Sequence, residues 1–135
     1  MVNGEQLLCS LEERGLLYQK SGDDLADHLD KPRTVYCGFD PTADSLHIGH
    51  LIPLLMLKRF QEAGHRPIAL VGGATGMIGD PSFKANERQL NSEEIVNEWA
   101  IRLESLIKVL INHDSEYEVD IEYNSYWLAD LNVLD

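Results

Sequence analysis

Apolar positions along the chain fall into helical and extended stretches in alternation. Leu7, Leu8 and Leu11 share one side of a helix predicted from about Glu5 to Arg14, and Gly15 is placed to end it in the left-handed conformation. Ser21 or Asp23 is positioned to cap a short second helix carrying Leu25, Ala26 and Leu29, which Lys31-Pro32 stops. Thr34 to Cys37 is a β-branched and aromatic run that reads as a strand. From Ile48 to Phe60 the spacing returns to helical, with Ile48, Leu51, Ile52, Leu55 and Phe60 expected inside and Ala63-Gly64 as the stop; Pro53 falls near the first turn, where a missing donor costs little. Pro67 to Val71 is continuously apolar, the pattern of a strand covered on both faces. Asn91 and Glu94 have capping-box spacing ahead of a helix whose stripe is Ile95, Val96, Trp99, Leu103, Leu106, Ile107 and Leu110, with Trp99 read as core. Val119, Ile121 and Tyr123 then alternate with Glu118, Asp120 and Glu122 as a third strand closed by Asn124, and Tyr126 opens another element.

Strand, helix and strand in repeated order predict an α/β fold with a parallel sheet and flanking helices, in which ligands lie at the carboxyl ends of the strands. Two units are expected: an N-terminal helical segment over residues 1–32, and strands with their crossover helices from residue 33 to 135. No repeat or low-complexity tract interrupts them.

Composition adds exclusions. At 135 residues and 44% hydrophobic content the chain suits one soluble domain, and without a basic leader or long apolar segment it reads as cytoplasmic rather than secreted or membrane-bound. Cys9 and Cys37 lack the paired spacing of a metal knuckle or redox motif and read as free thiols. A formal net charge of −12 repels polyanions, so this surface is not by itself a nucleic-acid platform.

The chemistry gathers in Tyr36-Cys-Gly-Phe-Asp-Pro-Thr-Ala-Asp-Ser-Leu-His-Ile-Gly-His50, where a strand passes through turn chemistry into a helix N-terminus. Free backbone N–H groups and the positive end of the helix dipole suit a phosphate there. His47 and His50 flank that point and can each donate to phosphate or ribose, while Gly49 leaves space for a ligand against the backbone. Two histidines three apart also resemble a metal pair, but no Glu-x-x-His spacing or cysteine follows, so no metal site is expected. The Gly-rich segment from Gly72 to Gly79 is expected to cross the carboxyl edge of the second strand as a loop. It matches neither Gly-x-Gly-x-x-Gly nor Gly-x4-Gly-Lys-Ser/Thr, which argues against dinucleotide enzymes and Walker-type NTPases.

His47-Ile48-Gly49-His50 resembles the HIGH motif of class I aminoacyl-tRNA synthetases, and Val71-Gly-Gly-Ala-Thr-Gly-Met-Ile-Gly-Asp-Pro81 resembles the loop after the second strand in the tyrosine-specific bacterial type. The resemblance runs from about Leu7 to the chain end. It implies the first half of a Rossmann-like (HUP-type) nucleotide-binding fold and ATP-dependent activation of L-tyrosine for transfer to tRNA(Tyr), with Mg²⁺ carried on the ATP phosphates. By the same resemblance Thr42, His47 and His50 would serve the reacting phosphates and ribose. Lys84 and Arg88 would meet the pyrophosphate. Cys37, Gly38, Asp40 and Gly49 would lie against the nucleotide, Asp40 through its backbone. Tyr36 would face the substrate phenol, and Thr75, Asp80 and Asn124 the substrate ammonium. By that resemblance the second half of the sheet, the pocket residues that would partner Tyr36, the lysine-rich KMSKS-type loop and the tRNA-binding region are missing from these 135 residues and the homodimer surface is expected largely beyond them, so the segment alone is expected to be inactive. Two other readings stay open on the residues: a small His-x-Gly-His nucleotidylyltransferase, and a noncatalytic nucleotide-fold binding module.

Overall fold

The computed structural model describes residues 3–41, 48–78, 92–111, 117–128 and 131. Helix α1 (Gly4–Glu13) begins at Asn3, whose side chain accepts the Gln6 N–H at 2.8 Å, and buries Leu7, Leu8 and Leu11 as expected. Gly15 follows with φ +67°, the left-handed residue predicted after the helix. Helix α2 (Leu25–Leu29) differs from expectation at its start: it opens after Asp24 with no side-chain cap, so neither Ser21 nor Asp23 fills that role. Its place is held by packing instead, since Leu29 joins Leu7, Leu8, Leu11 and Ala63 in a small cluster backed by Met56 and Phe60.

Strands β1 (Thr34–Phe39), β2 (Arg66–Val71) and β3 (Asp120–Tyr123) form one parallel sheet in the order β1-β2-β3. Register sets Phe39 opposite Val71 and Val71 opposite Tyr123, so the three strands end level with one another. One face carries Val35, Cys37, Phe39, Ala69, Val71, Val119, Ile121 and Tyr123 against helix α3 (Ile48–Glu62) and helix α5 (Glu93–Ile111), which add Leu54, Leu57, Ala100, Leu103, Ile107 and Ile111 to the main core. The other face carries Tyr36, Gly38, Ile68 and Leu70 and is left open among the described residues.

The orientation of α3 corrects the sequence expectation. Ile48, Leu51, Ile52 and Leu55 are exposed, at 83, 37, 55 and 41%, while Leu54, Leu57 and Gln61 are buried. Both stripes are mainly apolar, and only the position of the sheet decides which one turns inward. Pro53 lies inside the helix without ending it, and Gly64, at φ +96°, closes it as predicted. In α5 the buried stripe is Val96, Ala100, Leu103, Ile107 and Ile111; Ile95 and Leu106, expected inside, are 43% and 39% exposed, and Trp99 is half-buried. The proposed cap Asn91 lies outside the described residues. Glu94 is held below the usual carboxylate range by its own backbone N–H and by the Ser92 hydroxyl, a local cap of the α5 N-terminus.

Candidate functional site at the carboxyl edge of the sheet

Each strand is followed at once by a polar or small residue: Asp40 after β1, Gly72 after β2 and Asn124 after β3. Because the strands end in register, these three stand abreast. Gly72 N–H donates to the Phe39 carbonyl at 2.9 Å and Asn124 N–H to the Val71 carbonyl at 3.1 Å, extending the ladder one residue past each strand.

The Gly-rich segment is the second correction. It forms a short helix, α4 (Gly73–Ile78), rather than a loop, and packs against α5 and the short helix α6 (Ser125–Leu128). Glycine normally weakens a helix. Here side chains would collide: an added Cβ at Gly73 would come within 2.9 Å of the Ser125 hydroxyl, and one at Gly76 within 3.0 Å of Pro41 and 3.1 Å of Val96. The Ala74 N–H, otherwise an orphan of the first turn, is taken by Asn124 Oδ1 at 2.9 Å.

Thr75, on α4, completes a network. Asn124 Nδ2 donates to Thr75 Oγ1 at 3.2 Å, and the Thr75 hydroxyl donates to Asp40 Oδ1 at 2.7 Å. Asn124 is 8% exposed, whereas Asp40 and Thr75 are exposed at the rim. Below Asn124, the Tyr123 hydroxyl donates to Glu104, whose other oxygen is 2.6 Å from Lys108 Nζ. Burial and then the Glu104 bond push the Tyr123 phenol well above its ordinary value, while Lys108 first and Tyr123 second hold Glu104 below the usual carboxylate range. These bonds anchor the β3 end to α5 without facing the site.

Tyr36 is 70% exposed on the open sheet face, two residues before Gly38, where an added Cβ would meet no atom within 4 Å. A ligand could therefore lie directly against the β1 backbone. Cys37 points the other way, half-buried against the core, and burial raises its thiol pKa. His50 sits in the first turn of α3 with its ring edge-on to Phe39, centroids 6.3 Å apart, and Gly49 beside it is exposed. Thr42, His47, Asp80, Lys84 and Arg88 lie outside the described residues. The structure thus brings Asp40, Thr75 and Asn124 together and sets Tyr36, Gly38 and His50 at the β1 end. Two features of the site were not anticipated: the bonding of the Asp40 side chain and the need for glycine at position 72. The signal for both was a polar or small residue directly after each strand.

The sequence profile of the family "tRNA synthetases class I (W and Y)" matches residues 28–135. The chain belongs to that family. Relatives include the tyrosine–tRNA ligase 1 of Vibrio parahaemolyticus, 56% identical over 130 residues, which cover 96% of this chain and 31% of the relative. The tyrosine–tRNA ligase of Yersinia pestis is 54% identical over 136 residues, covering 98% and 32%. Among solved structures, a C-terminally truncated mitochondrial tyrosyl-tRNA synthetase of Aspergillus nidulans superposes with a TM-score of 0.74 at 26% identity over 95% of this chain and 40% of that one. The chain therefore spans about a third of the length of the curated relatives it matches. Membership in the class I synthetases displaces the small nucleotidylyltransferase reading and agrees with the Rossmann-like architecture described above.

Proposed function

We propose that this chain supplies the nucleotide- and tyrosine-binding third of a tyrosine–tRNA ligase. The carrying observation is the bonded Asp40–Thr75–Asn124 edge, beside an exposed Tyr36 and an α3 N-terminus, in a class I synthetase whose relatives are named tyrosine–tRNA ligases. In this reading the carboxylate of L-tyrosine attacks the α-phosphorus of ATP, pyrophosphate leaves, and the tyrosyl group then passes to tRNA(Tyr). The protein forms no covalent bond, so its work is alignment and the stabilisation of charge shifting onto the leaving group. Mg²⁺ enters with ATP as part of that substrate.

The residue roles are those the family resemblance implies. Gly38 and Gly49 let the nucleotide approach the backbone, with the main chain of Cys37 and Asp40 alongside. The N-terminal end of α3, with His50, His47 and Thr42, offers donors to phosphate and ribose. Lys84 and Arg88 would neutralise the departing pyrophosphate. Tyr36 offers its hydroxyl to the substrate phenol, and Asp80, Thr75 and Asn124 serve the ammonium end. The whole ligase would be a cytoplasmic homodimer with its tRNA contacts outside these residues, consistent with the net charge of −12 here.

The decisive experiment replaces the aligned segment of the Vibrio parahaemolyticus ligase with this chain and follows exchange of labelled pyrophosphate into ATP. Exchange should depend on L-tyrosine, and neither phenylalanine nor tryptophan should support it at equal concentration. Exchange driven by tryptophan would overturn the substrate, and exchange independent of any amino acid would overturn the reaction. His47→Ala and Thr42→Ala in that protein should lower the exchange rate and leave the tyrosine KM nearly unchanged; equal losses in both would contradict their placement at the phosphates.

A further inference from the structure

Asn3-Gly4 is the only Asn-Gly pair in the sequence. In such a pair the glycine nitrogen, unhindered by a Cβ on its own residue, can give up its proton to a solvent base and attack the asparagine side-chain carbonyl carbon. The new N–C bond closes a succinimide, Nδ2 leaves as ammonia, and water then opens the ring at either C–N bond to give aspartate or isoaspartate. No electrons are exchanged. Packing and capping both demand this labile pair here. Asn3 caps α1 through its side chain, and an added Cβ at Gly4 would stand 2.0 Å from the Ala26 carbonyl oxygen, so the close seating of α1 on α2 admits only glycine. Asn3 is exposed, and water reaches it freely.

Three bonds oppose the attack. Asn3 Oδ1 accepts the Gln6 N–H at 2.8 Å, the Asn3 main-chain carbonyl accepts the Leu7 N–H at 3.0 Å, and the Gly4 N–H donates to Asp30 Oδ1 at 2.8 Å. Ring closure needs the Gly4 nitrogen nearly eclipsed with Asn3 Cβ. At φ −72° and ψ 159° it stands well out of that plane, and turning it there would swing the carbonyl away from Leu7 and the nitrogen away from Asp30. The first two bonds belong to α1 itself. The third comes from the end of α2 and is the one that separation of the helices would break. We propose that Asn3 is a conditional deamidation site, latched by the Asp30 side chain while α2 lies against α1 and released when the two helices part. An aspartate product keeps an acceptor for Gln6. Isoaspartate instead inserts a carbon into the main chain where Gly4 meets Ala26, so the modification, once made, hinders the helices from closing again.

The test follows Asn3 in the 135-residue chain by peptide mapping and mass spectrometry during incubation in mildly alkaline buffer. Deamidation there should run at least about tenfold slower in the folded chain than in the same chain in concentrated urea, since only the opened fraction reacts. Asp30→Ala removes the acceptor and should quicken the folded chain at least about threefold, by raising that fraction. Asp30→Asn removes the same charge but keeps an acceptor, and should stay close to wild type. Circular dichroism reports whether each variant is folded. Hydrogen exchange in the wild type carries the case if Asp30→Ala unfolds: the Gly4 amide should be protected, although the first amides of a helix have no partner within it. Equal rates in the folded and urea-treated chains, a folded Asp30→Ala no faster than wild type, or an unprotected Gly4 amide would each overturn the latch. Asp30→Asn as fast as Asp30→Ala would assign the effect to charge and overturn it too. Slowing in both variants would make the carboxylate a general base for the attack, the opposite of the role proposed.

Discussion

Gly72 and Gly38 are both glycines at the carboxyl end of a strand, yet they meet opposite surroundings. An added Cβ at Gly72 falls 1.9 Å from a carboxylate oxygen, and at Gly38 it meets nothing within 4 Å. Neither has the positive φ that favours glycine, so backbone strain does not enter and space alone decides. Gly72→Ala should therefore cost about 1–3 kcal/mol in urea denaturation, as overpacking does, while Gly38→Ala should stay within about 0.5 kcal/mol of wild type. Similar losses at both positions would mean that the crowding at Gly72 is relieved cheaply. His65 is a second residue whose consequence is local chemistry. It is 1% exposed, its Nδ1 accepts the Arg33 N–H at 3.2 Å, and its Nε2 has no partner among the described residues. Burial first, then the charges of Arg33 and His28, push its pKa below the ordinary 6.5. The unfolded chain takes up a proton there before the folded one does, so the stability this neutral imidazole confers is intact above 6.5 and lost as pH falls below it. His65→Asn keeps an acceptor near the Nδ1 position without titrating. Its urea midpoint should change less than that of wild type as pH is lowered from about 7 to about 5.5, and parallel declines would remove His65 as the cause. The sequence disclosed the residue types at such sites but not their crowding. Asp40 reads as a turn residue before Pro41, and only the level strand ends place Gly72 and Thr75 against it.

Among the elements, the first two strands and the sequence-local ends at Gly15 and Gly64 were legible, because a continuous apolar run and a left-handed glycine depend on local chemistry. What the periodicity could not decide was the facing of a helix with two apolar stripes. In α3 the 48/51/52/55 stripe and the 54/57/61 stripe compete, and the sheet lies under the second. Leu57, at 2% exposure, should therefore cost about 2–5 kcal/mol when changed to alanine, since it leaves a cavity in the main core. Ile52→Ala on the outer stripe should stay within about 0.5 kcal/mol. Chemical denaturation of the two variants checks the orientation directly, and the reverse order of losses would turn the helix over. The Gly-rich segment was misjudged for a related reason. Glycine content argues for a loop, but Asn124, 50 residues away from Ala74 in sequence, caps α4, and neighbours leave no room for larger side chains. Long-range capping of that kind has no local signature.

At the scale of the whole molecule, two apolar surfaces remain open among the described residues: the outer stripe of α3 with Ile48 and Ile52, and the sheet face that carries Tyr36. Contiguous exposed apolar surface favours association, which a net charge of −12 opposes through repulsion between copies. The two terms respond differently to salt. Repulsion between exposed charges is screened as the Debye length shrinks from about 10 Å at 0.1 M to about 3 Å at 1 M, whereas apolar association is not weakened. The chain should therefore sediment as a monomer in about 20 mM NaCl and show a rising weight-average sedimentation coefficient toward about 0.5 M. Ile52→Glu places a charge in the middle of the α3 stripe and should suppress that rise, while Glu98→Gln, on an exposed part of α5, should leave it in place. Association that weakens with salt would instead point to ion pairing between copies. A rise unchanged by Ile52→Glu would move the sticky surface away from α3, to the open face of the sheet.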